Sequence, residues 1–98
     1  MIKELCVLMQ IVSCPVLEVV QDSKEPWGEY WISENKIVVN SLDRNLLVHE
    51  LAHAKVRETY DYYVDSHGKE WQELYERYED PNGSDFSFQC GYYKKCRD

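Results

Sequence analysis

The stretch Lys36-Ile37-Val38-Val39-Asn40-Ser41-Leu42-Asp43-Arg44-Asn45-Leu46-Leu47-Val48-His49-Glu50-Leu51-Ala52-His53-Ala54 decides how this chain folds. It opens on a β-branched run and passes a polar bend at Asn40-Ser41. It then enters a segment whose apolar residues recur at helical spacing. Ser41 is placed to cap that helix, Asp43 lies in its first turn, and no Pro or Gly interrupts the chain from Leu42 to His67. A strand over Lys36 to Asn40 and a helix over residues 42 to about 58 are therefore expected. Leu46, Leu47, Val48, Leu51 and Ala52 make this helix apolar nearly all round, so it belongs in the interior.

Within it stands His49-Glu50-Leu51-Ala52-His53, the pattern H-E-x-x-H. Residues four apart lie one above the other on a helix, so His49 and His53 can offer imidazole nitrogens to a single metal, with Glu50 beside them. In so apolar a helix, two histidines and a glutamate would be costly buried polar groups unless a metal satisfied them.

A catalytic zinc site needs a third protein ligand and an open fourth position. An extended pattern with a further His six residues after His53 fails, because Thr59 occupies that position and Val56 the one that needs glycine. Glu70 or Glu73 would give a two-His, one-Glu site, and His67 a three-His site. His67 is preferred. A ligand where a second helix begins can be held rigidly against the first, and Gly68 lets the backbone come close. Glu70 and Glu73 are explained as the solvated face of an amphipathic helix.

Outward from this centre, Ile2, Leu5, Cys6, Leu8, Met9 and Val12 predict an N-terminal helix over residues 2 to 12, ended by Pro15. Val16 to Val20 reads as a first strand. Trp27 to Ile32 and Lys36 to Asn40 read as a hairpin about Ser33-Glu34-Asn35. Residues 60 to 66 form a connection. Trp71, Leu74, Tyr75 and Tyr78 then mark the buried stripe of another helix that begins near Gly68 and stops at Asp80-Pro81-Asn82-Gly83. The expected fold is α+β, a small, mostly antiparallel sheet packed on an N-terminal helix, the H-E-x-x-H helix and a following helix.

The chain has 98 residues, 18 acidic and 11 basic, for a formal net charge of -7, which fits one small domain spanning 1–98. The charge argues against a protein held to DNA or anionic lipid by overall electrostatics. No run is apolar enough to span a membrane, and the N-terminus lacks the cleavage signal of a leader, so a cytoplasmic location is the default. Cys6, Cys14, Cys90 and Cys96 lack zinc-knuckle spacing, and without a leader they read as reduced thiols.

The motif His49-Glu50-Leu51-Ala52-His53-Ala54, His67-Gly68 placed thirteen positions after Ala54, and Trp71 on the next helix resemble the SprT-like zinc metallopeptidases. The resemblance covers about Lys36 to Tyr78, including the strand before the helix. It implies a minimal zincin-like fold, a zinc held by His49, His53 and His67, and Glu50 as the catalytic base of peptide hydrolysis. A tyrosine among Tyr60, Tyr62, Tyr63 and Tyr75 would stand near the reacting carbonyl. Trp27, Tyr30 and Trp31 would either line a substrate groove or fill the core. The family's zinc ribbon is absent or degenerate, since only Cys90 and Cys96 lie in the tail 86–98, which otherwise reads as a short β segment. Family members that act on DNA-bound proteins have basic regions, whereas this tail has only Lys94, Lys95 and Arg97. The expected partner is a protein or peptide substrate, with nucleic acid reached only through it. Two rival readings are a zinc-stabilised, non-catalytic binding module and a mobile-element effector that acts on one protein target.

Overall fold

The computed structural model describes residues 1–60 and 67–86. Its elements are α1 (Ile2–Leu8), β1 (Val16–Val19), β2 (Gly28–Trp31), β3 (Lys36–Val39), α2 (Arg44–Tyr60) and α3 (Lys69–Tyr78). This is an α+β arrangement of three helices and one three-stranded sheet among the described residues.

The sheet order is β1-β3-β2, with β1 parallel and β2 antiparallel to β3. It is therefore mixed, where the hairpin alone predicts a mostly antiparallel sheet. The reason lies in residues 20–27, which carry the chain across the end of β3 so that β1 and β2 flank it. Asn40 holds this crossing. Its Nδ2 donates to Asp22 Oδ1 at 2.7 Å and to the carbonyls of Lys24 and Glu25 at 3.3 and 3.1 Å, while its Oδ1 accepts the Trp27 N–H at 2.8 Å. Central β3 turns Ile37 and Val39, both fully buried, toward α2.

α1 stops four residues short of the predicted end, and Pro15 does not stop it. Gln10 takes a left-handed φ of 57°, its N–H bonds to Val7 O at 3.1 Å, and the Ile11 N–H bonds to Cys6 O at 2.9 Å. These are the two bonds of a Schellman cap, and buried Ile11 and Leu5 share the core cluster, as such caps favour.

The reversal brings Cys14 back over Cys6, and the two form a disulfide with a Cα–Cα distance of 5.8 Å. The reduced-thiol expectation is thus corrected at this pair, whose closeness depends on a cap that cysteine spacing does not reveal. Cys90 and Cys96 lie outside the described residues. Closing so short a loop is worth about 2.5 kcal/mol. Cys14→Ser should therefore lower the melting temperature by about 10–20 °C, conversion being about 4–8 °C per kcal/mol in a domain of this size. Calorimetry without reductant checks this, and an unchanged transition would show that the bond adds nothing.

α2 is capped by Asp43 rather than Ser41. Asp43 Oδ1 accepts the N–H groups of Asn45 and Leu46 at 2.9 and 3.4 Å, and the Asp43 carbonyl accepts Leu47 N–H at 3.0 Å. From Asn45 to Ala54 every residue of α2 is buried, as its all-round apolarity requires. α3 lays Trp71 and Tyr75 on it, at 1% and 0% exposure.

The turn after α3 is held by the buried Asn45. Its Nδ2 donates to the carbonyls of Asp80 and Ser84 at 2.8 and 2.7 Å, and its Oδ1 accepts the Asp80 N–H at 2.8 Å. Arg44 adds a bond to Tyr78 O at 2.7 Å. Together they direct residues 84–86 back toward α2, where the site lies.

Candidate metal centre

His49 and His53 project from one face of α2, and His67 reaches them from just before α3. His53 Nε2 lies 3.0 Å from His67 Nε2, which lies 3.3 Å from His49 Nε2. The ligating nitrogens all fall within 4.8 Å of one another, close enough to share one ion. The preferred third ligand is thus the one that joins the cluster. Glu70 and Glu73 instead line a cavity of about 130 Å³ with Lys55, Thr59, Tyr60, Leu74 and Arg77.

The neighbours of His49 set it up as a ligand. Its Nδ1 donates to the Phe86 carbonyl at 2.6 Å, which puts the proton on Nδ1 and leaves the Nε2 lone pair facing the other two rings. Burial pushes its pKa down to about 4, against an upward pull from the Phe86 bond, so the ring is neutral at physiological pH and ready to ligate. Trp71 is the wall behind all three rings, with centroids 4.6, 5.5 and 4.8 Å from those of His49, His53 and His67. Its indole N–H donates to the His49 carbonyl at 3.0 Å. The apolar stripe on α3 therefore orients ligands as well as filling the core.

Tyr75 has a different task from the one its proximity suggests. Its ring stacks on Trp71 at 5.3 Å, its pKa is raised to about 12 by burial, and its hydroxyl oxygen accepts the Phe86 N–H at 2.8 Å. Phe86 is thereby gripped at both backbone groups, by Tyr75 at the N–H and by His49 at the carbonyl. Tyr75→Phe removes the acceptor and should weaken the binding of an ion by the three histidines about tenfold, the lower end for loss of a group that orients a ligand. Chelator competition measures this, and an unchanged affinity would detach Tyr75 from the site. Tyr60 is 45% exposed, on the cavity that Glu70 and Glu73 line. Tyr62 and Tyr63 lie outside the described residues, as does the tail after Phe86.

Glu50 is 1% exposed, and its Oε2 lies 4.0 Å from His49 Nε2. Against it stands Gly28 of β2, a residue that sequence reasoning missed. A Cβ built on Gly28 would sit 2.9 Å from Glu50 Oε2 and 3.2 Å from its Cγ. The Phe86 carbonyl was missed as well, since a backbone oxygen leaves no mark in composition. The aromatic residues near β2 divide their roles. Tyr30 packs on the core, and its hydroxyl donates to Asn35 Oδ1 at 2.8 Å. Trp31 is 40% exposed beneath the Lys36 ammonium, and Trp27 Nε1 donates to Asp22 at 2.9 Å.

Three buried or half-buried imidazoles that share one centre suit a borderline ion such as zinc, and the Glu50 carboxylate lies beside them. No helix among the described residues is long and apolar enough to cross a membrane. Comparison with protein-family models, with curated proteins and with solved structures finds no match to this chain. What the fold and site define is an α+β domain with a three-histidine cluster that could hold a metal ion.

Proposed function

We propose that this chain is a zinc-dependent peptidase of the SprT-like kind, with a minimal zincin-like fold, zinc on His49, His53 and His67, and Glu50 as general base. The observation that carries this reading is the Glu50 carboxylate 4.0 Å from His49 Nε2, beside a cluster of three imidazoles. A zinc held by His49, His53 and His67 would supply Lewis acidity toward water and a carbonyl. Glu50 accepts the proton as water attacks the peptide carbon and passes it to the departing amine as the C–N bond breaks. Phe86 and Trp71 keep the His49 ring oriented while charge develops.

β2 is an edge strand, and an extended peptide would add to it by main-chain hydrogen bonds. Gly28, on that strand and against Glu50, brings such a peptide close to the reacting groups. The substrate is a protein or peptide.

The rival with an observation in its favour is a zinc-stabilised binding module. His49 and His53 are only 8% and 7% exposed, so a metal here also ties α2 to the start of α3. The Cys6–Cys14 bond counts against a reducing compartment such as the cytoplasm. The deciding experiment measures zinc content and hydrolysis of unfolded casein by purified protein. One zinc per chain with hydrolysis that a chelator stops is the expected result. A zinc-replete protein inert on denatured and DNA-bound substrates would leave the binding module.

A further inference from the structure

We propose that Gly28 is a positioning residue: by withholding a side chain, β2 gives the Glu50 carboxylate its place beside the three-histidine cluster. This rests on the reading of Glu50 as general base and extends it to a second element, since the H-E-x-x-H helix alone does not fix where a flexible glutamate points.

The geometry is specific. Gly28 is buried at the start of an edge strand, paired in register with Val39 of β3. No positive φ calls for glycine here. What calls for it is space. An added Cβ would lie 2.9 Å from Glu50 Oε2, 3.2 Å from Glu50 Cγ and 3.1 Å from Val39 Cγ1. The first distance is one that real Cβ atoms essentially never show, and the second and third are tight. The oxygen met is the one that lies 4.0 Å from His49 Nε2, so any displacement moves the atom that faces the cluster. Val39 is fully buried and belongs to the central strand, whereas Glu50 can turn about its side-chain bonds. The glutamate is the group that gives way.

Gly28→Ala should therefore reduce kcat by about 100-fold, the scale for a misplacement of about 1 Å, with KM and zinc affinity within about twofold of wild type. Glu50→Asp withdraws the carboxylate by one methylene and leaves room for the new methyl. In that background Gly28→Ala should change kcat by no more than about twofold, which is the rescue that a purely packing role would not produce. Val39→Ala relieves the other contact and should not restore kcat.

A second readout needs no activity. In the metal-free protein the fall in melting temperature caused by Gly28→Ala should be smaller in the Glu50→Asp background. If Gly28→Ala does not fold alone, its recovery by Glu50→Asp is the same coupling. Additive effects at positions 28 and 50, in melting temperature and in kcat, would overturn the proposal, as would a fall in zinc affinity as large as the fall in kcat. Thermal coupling in a wild type that hydrolyses nothing would uphold the role of Gly28 in placing Glu50 and defeat the peptidase reading instead.

Discussion

Glu50→Gln should lower peptide hydrolysis by about 10²–10⁴-fold, the range for loss of a general base, while zinc content stays at the wild-type level. The substitution keeps the shape of a side chain that is 1% exposed and removes only its ability to take a proton. It leaves the three imidazoles and the Phe86 bond to His49 untouched. Zinc analysis and casein hydrolysis on the same preparation separate the outcomes. Undiminished hydrolysis would exclude Glu50 as the base. Zinc lost together with activity would make Glu50 part of the metal's support rather than a group that handles protons.

His67→Ala should have the larger effect on the metal itself. Glu70→Ala and Glu73→Ala are the comparisons, because both glutamates line the cavity between α2 and α3 instead of joining the cluster. Zinc affinity should fall by more than the roughly 10–100-fold that loss of an orienting neighbour costs, since a ligand is lost outright. The two glutamate variants should bind zinc as wild type does. Stability follows by linkage. Zinc at about 1,000 times its Kd stabilises a folded protein by about 4 kcal/mol, and His67→Ala should forfeit most of that gain. Chelator competition and calorimetry with and without zinc provide the test, and equal or reversed effects would refute the three-histidine assignment.

The local part of the fold was legible because it depends on neighbours in sequence. The α2 helix follows from uninterrupted apolar periodicity, and its solvent-excluded position from the lack of a polar face. α3 follows from Trp71, Leu74, Tyr75 and Tyr78 at helical spacing, and the β2–β3 hairpin from two β-prone runs around a short polar loop. The errors came from events just beyond that range. Asp43 displaced Ser41 as the cap because its carboxylate reaches two N–H groups, and Gln10 ended α1 through a Schellman turn that its residue type does not advertise. The disulfide followed from that same turn.

The division at the site has the same cause. Spacing four on a helix is a local fact, so His49, Glu50 and His53 identified themselves from sequence alone, and His67-Gly68 before the next helix was the favoured third ligand. Only the tertiary structure could decide that His67 meets them at 3.0 and 3.3 Å, that the parallel β1–β3 pair makes the sheet mixed, and that Phe86 fixes the His49 tautomer. It alone sets Gly28 against Glu50. These are contacts between residues 14 to 37 positions apart, or involve backbone atoms and the lack of a side chain. Such contacts exist only once the sheet and helices have packed, and no periodicity in the chain records them.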